Sequence, residues 1–261
     1  MTIKLLVLFL TPLLSGLAIY LVPKSKGTNY KLLLVFAGSY LFAITVIHIL
    51  PELYSQNTGL ELIGLFVLAG FFLQQLLEYF TSGIEHGHVH THEPHSHDGH
   101  HHVHHQPQTD HQKSVSALIL LFALCVHAFL EGSILAQPAD SESVYDMNAI
   151  LLGIALHRAP AAFALMTVLA VQLRSKNKAL PYLLGFSLAA PIGLLLSTYL
   201  ATEEIISTTF LIYLYALVCG NFLHISTTIV FESSPEHRFN ARKLAVALFG
   251  ALIAVAVEYI L

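Results

Sequence analysis

Four residues on two neighbouring apolar stretches carry most of the chemistry open to this chain. His127 and Glu131 stand four positions apart in Cys125-Val126-His127-Ala128-Phe129-Leu130-Glu131-Gly132. At that spacing an imidazole and a carboxylate share one face of a helix. Both can meet the same ion, and zinc accepts such a mixed set with bonds of about 2.0–2.2 Å. The next stretch, Leu156-His157-Arg158-Ala159-Pro160-Ala161-Ala162, offers a second imidazole in His157. Pro160 removes a backbone donor and frees a carbonyl upstream, which makes a packing kink or lines a cavity. Arg158 follows His157 by roughly a third of a turn. A permanent cation there repels a second divalent ion or pairs with Glu131. The plainer alternative for His127 and Glu131 is a hydrogen-bonded pair with no ion, a costly choice in lipid compared with two apolar side chains.

Other polar residues sit at membrane depth or near it. His48 and Glu52, in His48-Ile49-Leu50-Pro51-Glu52, repeat the four-residue spacing and suit the mouth of a pathway or an interfacial cap. A later apolar run carries Asn221, His224, Ser226, Thr227, Thr228 and Glu232, a stripe expected to face the bundle interior or water. From that set His224, Thr228 and Glu232 join His48, Glu52 and Arg158 as candidate pathway residues. Glu78 and Glu258 lie near the ends of their runs and are expected to reach solvent.

Histidine is the compositional outlier, with 17 copies. Twelve of them fall in one stretch: His86, His88, His90, His92, His95, His97, His100, His101, His102, His104, His105 and His111. No hydrophobic period survives there, and Pro94, Pro107 and the glycines break any helix. Imidazole binds zinc, copper, nickel and iron. The tract reads either as a solvated polar linker or as a weak collector of metal ions, and the irregular spacing is unlike a purification tag.

These residues need helices to hold them. The chain has 261 residues, 55% of them hydrophobic and only 11% charged, with a mean hydropathy of +0.68. Soluble domains carry about 25% charged residues, so a soluble globular fold and broad disorder are both excluded. A formal net charge of −4 leaves no basic footprint for nucleic acid. Cys125 and Cys219 both lie in apolar runs, which argues against a disulfide framework. Eight apolar segments are legible, at about 3–22, 31–53, 60–81, 115–137, 149–173, 180–200, 208–231 and 242–261. They must be helices, because unpaired backbone cannot face lipid. The first exceeds the roughly 7–15 apolar residues of a signal peptide and is expected to be a retained span.

Eight spans also sort the charges. Lys24, Lys26, Lys31, Lys113, Arg174, Lys176, Lys178, Arg238, Arg242 and Lys243 fall on one side. Glu52, Glu61, Asp140, Glu142, Asp146, Glu203 and Glu204 fall on the other, where Lys4 is the one basic residue. The positive-inside rule makes the basic side cytoplasmic. The expectation is an all-α polytopic membrane protein: a bundle of eight transmembrane helices with both termini extracytoplasmic. Its parts are spans one to three (1–83), a disordered cytoplasmic His-rich loop (84–113) and spans four to eight (114–261), which hold the metal site.

This pattern resembles the ZIP (Zrt/Irt-like) family of metal transporters over essentially the whole chain. The resemblance is carried by the eight-span order, the His-rich stretch after span three, the HILPE run closing span two, His127-xxx-Glu131-Gly132 in span four and His157-Arg158 in span five. It implies uptake of a divalent metal toward the cytoplasm, with His127, Glu131 and His157 at ligand positions. Two positions depart from the common pattern. Ala128 stands where many members have Asn, and Ala161 where many have a second carboxylate. A single-ion site is therefore expected, with water or His48 as a fourth ligand. Zn²⁺ is the first choice of transported ion, ahead of Fe²⁺, Mn²⁺ and Cd²⁺, and no catalytic cofactor is expected. Partners are then the ion and the lipid bilayer, in a bacterial inner membrane or a eukaryotic plasma membrane. Gly153, Ala155, Gly185, Ala189 and Gly193 fit internal helix packing and homodimerisation equally well. The rival readings are a metal exporter, a membrane metal sensor and an intramembrane zinc hydrolase. The last is disfavoured because HExxH is missing, and GxxxxGK[ST], the mark of ATP drive, is missing too.

Overall fold

A computed structural model describes residues 1–21, 30–55, 59–81, 110–136, 147–232 and 241–260. The helices are α1 (Thr2–Leu17), α2 (Tyr30–Ile44), α3 (Leu50–Ser55), α4 (Leu60–Thr81), α5 (Asp110–Ser133), α6 (Met147–Gln172), α7 (Lys176–Thr202), α8 (Thr208–Glu232) and α9 (Ala241–Ile260). A 3₁₀ turn, Ala18–Tyr20, extends α1, and a π turn, Thr45–Ile49, joins α2 to α3 without a break. Eight helical rods result among the described residues, matching the eight apolar segments. Six of them are long and apolar enough to cross a membrane. Of the other two, α5 has a shorter described apolar part, Ala117–Ser133, and α9 carries Arg242 and Lys243 in its first turn and Glu258 near its end.

The neighbour pairs fix the direction of each rod. Leu121 lies beside Gly185 and Phe129 beside Gly193, so α5 and α7 run parallel. Phe66 stacks on Tyr213 and Phe71 meets His224 edge-on, so α4 and α8 run parallel. Phe36 faces Phe249, and further along His48 meets Glu258, so α2 and α9 run parallel. By contrast α1 runs against α7: Gly16 abuts Leu183, and Lys176 Nζ donates to the Ile19 carbonyl at 2.7 Å. Short connections turn α6 into α7 and α7 into α8, which makes them antiparallel neighbours. Left-handed backbone at Arg174 (φ 52°) and Glu204 (φ 53°) makes these turns tight.

Successive rods therefore alternate in direction. The start of α1 and the end of α9 share one end of the bundle. Thr81 and Asp110, which flank residues 82–109, share the other, together with Arg174, Lys176, Arg242 and Lys243. The separation of basic from acidic residues is thus built into the packing.

The rods form two groups. In one, α1 packs on α6 and α7, and α5 packs on α7. In the other, α4 packs on α8, and α2 packs on α9 and α8. The groups meet mainly where α2 crosses α6 and α4 crosses α5.

Within the first group the backbones of α5 and α7 touch. A Cβ on Gly193 would collide with the Phe129 carbonyl, and one on Gly132 with the Ala190 carbonyl. Close approach of this kind is what small residues supply in membranes, where apolar burial alone does not pull helices together. The C-terminal end of α5 is held by side chains as well. Lys4 Nζ donates to the Leu135 carbonyl at 3.4 Å, and Tyr215 Oη donates to the Ala136 carbonyl at 2.9 Å. These bonds satisfy carbonyls that a helix end leaves without partners. Gly193→Val is expected to push α5 from α7 and to destabilise the fold by about 1–3 kcal/mol. Gly185→Ala, whose Cβ would have 3.8 Å to Leu121, is expected to melt like wild type. Equal melting temperatures for the two variants in detergent would contradict the close contact.

Candidate metal centre

The contact between α5 and α7 fixes the face of α5 that bears His127 and Glu131. One turn separates them, and Nε2 of His127 lies 3.1 Å from Oε1 of Glu131. α6 crosses this face and brings in His157, whose ring stands nearly perpendicular to that of His127 with centroids 5.9 Å apart. His127, Glu131 and His157 each offer one ligand atom, all within 4.8 Å of one another. Each of the three residues is only 1–2% exposed. Tetrahedral zinc with bonds near 2.0–2.2 Å sets its ligand atoms about 3.4 Å apart. Small side-chain adjustments would bring the three to that spacing. Imidazole and carboxylate together suit zinc and other borderline divalent ions.

Arg158, next to His157 on α6, is equally buried. Its Nε lies 3.9 Å from Oε2 of Glu131. Its Nη2 donates to the Phe186 carbonyl on α7 at 2.8 Å, and the guanidinium lies 4.7 Å from the centroid of the Phe186 ring. Of the two alternatives the sequence left for Arg158, the structure shows the approach to Glu131. α6 continues as helix through Pro160. Beside that proline, Ser15 of α1 donates to the Ala159 carbonyl at 2.5 Å and ties α1 to the same turn.

The remaining sequence candidates divide. His48 is not brought to the three-residue group. It lies in the π turn, where the Leu50 amide donates to the Thr45 carbonyl one residue further back than in an α-helix. Pro51, which has no amide to donate, follows directly, and π turns are frequent at functional sites. His48 Nδ1 contacts Glu258 Oε1 at 2.7 Å. The expectation that Glu258 simply reaches solvent is thus corrected: the parallel course of α2 and α9 gives it a partner that linear spacing could not reveal. Glu78 is corrected in the same way, with Oε2 lying 3.5 Å from Nδ1 of His224. Glu52 is half-buried on α3.

On α8, Asn221, His224 and Ser226 are buried as the polar stripe suggested. The hydroxyls of Ser226, Thr227 and Thr228, however, bond to carbonyls of their own helix. That is how hydroxyl side chains are commonly satisfied in helices. The side chains of Glu232 and His111, and the histidines from His86 to His105, lie outside the described residues, where the collector reading falls. Cys125 and Cys219 form no disulfide.

Removing one member of a buried charge pair leaves the other uncompensated, at a cost of about 3–5 kcal/mol. In metal-free protein Glu131→Gln is expected to lower the melting temperature. Glu131→Gln combined with Arg158→Gln is expected to lower it by less than the sum of the single changes. Strict additivity would mean that the two groups do not interact.

Comparison with known proteins identifies the family. The family model for ZIP zinc transporters matches residues 1–258. The chain is 33% identical over 114 residues to zinc transporter ZIP9 of Macaca fascicularis, a match covering 41% of this chain and 47% of that protein. It is 32% identical over 122 residues to zinc transporter ZIP9-A of Xenopus laevis, covering 44% of this chain and 39% of that protein. The match thus spans less than half the length of either relative. With a family match along nearly its whole length and helices of membrane-crossing dimensions, the chain belongs to the ZIP zinc transporter family and is a multi-pass membrane protein.

Proposed function

We propose that this protein carries a divalent transition metal ion, Zn²⁺ before Fe²⁺, Mn²⁺ or Cd²⁺, across the membrane toward the cytoplasm, with His127, Glu131 and His157 as its ligands. The observation that carries the reading is their convergence: three ligand-bearing residues from two helices meet at almost complete burial. Ionisable groups are costly there and mark ion pathways. Three ligands with one carboxylate leave a coordination position for water. Such a site can strip most of the hydration from an ion without enclosing it as a four-ligand structural site would. Conduction requires that balance between binding and release.

Two further His–Glu pairs lie on either side of the centre along the bundle. His48 and Glu258 sit toward the end that holds the start of α1, and Glu78 and His224 toward the end from which residues 82–109 depart. We read the first as the side of arrival and the second as the side of release. The basic residues at the release end make it cytoplasmic by the positive-inside rule. The His-rich segment would then receive or retain ions on the cytoplasmic side. A hydrolase reading fares worse, because the group beside Glu131 is a guanidinium, which cannot accept a proton as a general base must.

Purified protein in liposomes loaded with a zinc-sensitive dye tests this. Zn²⁺ influx is expected to fall to background for His127→Ala, Glu131→Ala and His157→Ala, and to persist at reduced rate when residues 86–111 are deleted. Undiminished flux in Glu131→Ala would sink the ligand assignment. Loss of flux on deletion of 86–111, from a folded protein, would move the essential step to the loop.

A further inference from the structure

Arg158 contributes no metal ligand, yet it is among the largest fully buried side chains of the bundle. A guanidinium does not give up its proton in proteins. Its charge is therefore permanent, and here it is held from two directions. Its backbone belongs to the turn of α6 that presents His157. Its head group is fixed on α7 by the Phe186 carbonyl and the Phe186 ring. Nε and Nη1 make no hydrogen bond among the described residues, so donors remain on the head group whose Nε stands 3.9 Å from Oε2 of Glu131. The other oxygen, Oε1, lies on the side of His127. Glu131 thus has one oxygen facing the imidazole and one facing a fixed cation.

The positions next to the ligands on α5 and α6 supply no further charge. Ala128 and Ala161, which follow the ligands by one and four positions, are buried and apolar. Neither helix offers a second carboxylate to this group, and a second divalent ion at Oε2 would have to sit against the guanidinium.

We propose that Arg158 is the resident cation of the centre: it occupies the side of Glu131 that a second metal ion would need, limits the centre to one divalent ion and keeps that ion releasable. This rests on His127, Glu131 and His157 being the ligands. In this role Arg158 is a positioning residue. It draws charge density from the one carboxylate of the set, so the ion is held less tightly and leaves sooner. A neutral side chain in its place should bind the ion more tightly and turn over more slowly, the opposite of losing a ligand.

The test uses the full chain. Zn²⁺ flux into liposomes gives KM and turnover for wild type, Arg158→Gln, Arg158→Met and Arg158→Lys. Co²⁺ titration of the visible d–d bands counts ions at the centre, with the His127→Ala protein as the subtracted background for the loop histidines. Both neutral variants are expected to lower KM about tenfold and turnover about tenfold, the scale of one charge contact at a few ångströms in a partly screened site. Arg158→Lys, which keeps the charge, should stay within about threefold of wild type in both. Wild type should take up one Co²⁺ at the centre, and Arg158→Glu should take up two. The proposal is overturned if the neutral variants leave KM and turnover within about twofold of wild type. It is equally overturned if they raise KM, or if wild type already holds two ions. Should neither neutral variant fold, Arg158→Lys decides: a shift in KM of tenfold or more would show that the fork geometry, not the charge, matters. Wild-type flux indifferent to Glu131→Ala would instead remove the ligand assignment itself, whatever Arg158 does.

Discussion

A carboxylate almost wholly removed from solvent inside an apolar bundle must be answered by groups within a few ångströms, because an isolated charge at that depth is prohibitively expensive. Glu131 is answered on one side by His127, a turn away on its own helix, and on the other by Arg158 from α6. These demands fix the relation of α5 to α6 in both height and rotation. They also recruit α7, since the guanidinium donates through Nη2 to the Phe186 carbonyl. Three helices are thus registered by one negative charge. The imidazole of His157 reaches the same spot because it neighbours Arg158 in the sequence. The three candidate ligands are therefore among the residues that register these helices.

The rest of the first helix group reads as support for that register. Direct backbone contact at Gly132 and Gly193 sets the spacing of α5 and α7 within narrow limits. The bonds from Lys4, Tyr215 and Ser15 pin the end of α5 and the proline-bearing turn of α6. All three ligand candidates, the arginine and its anchor lie on α5, α6 and α7. A displacement of this group against α2, α4, α8 and α9 would carry the centre intact, whereas any parting of α5 from α6 would dissolve it.

Much of this was legible in the sequence, for physical reasons that differ from one feature to the next. Eight apolar runs announce eight rods because lipid permits little else. The pairing of His127 with Glu131 is legible because helical geometry alone relates positions four apart. The approach of Arg158 to Glu131 was one of two alternatives, since sequence spacing says nothing about the crossing of α5 and α6. The pairs His48–Glu258 and Glu78–His224 join residues separated by most of a domain's length, and nothing in linear spacing brings them together. The π turn at Thr45–Ile49 was hidden for another reason. Pro51 signals a disturbed ladder, but whether the helix kinks or widens depends on the helices around it, α8 and, through Glu258, α9. The stripe on α8 faces the bundle interior at Asn221, His224 and Ser226, one of the two faces its polarity allowed, and the hydroxyls of Ser226, Thr227 and Thr228 bond back to their own backbone.

The placement of the two outlying pairs adds a constraint of its own. His48 and Glu258 lie on α2 and its continuation and on α9, and Glu78 and His224 lie on α4 and α8, so both pairs belong wholly to the second helix group. The central three residues belong wholly to the first. Each cluster can therefore keep its internal geometry while the distance between clusters changes. An imidazole held against a carboxylate is a low-cost way to keep either at membrane depth, and each such pair already contains two of the ligand types that a borderline divalent ion prefers. An ion passing along the bundle would exchange one set of oxygen and nitrogen partners for another of the same kind. Passage across an apolar barrier requires partners that bind well enough to admit the ion and weakly enough to release it.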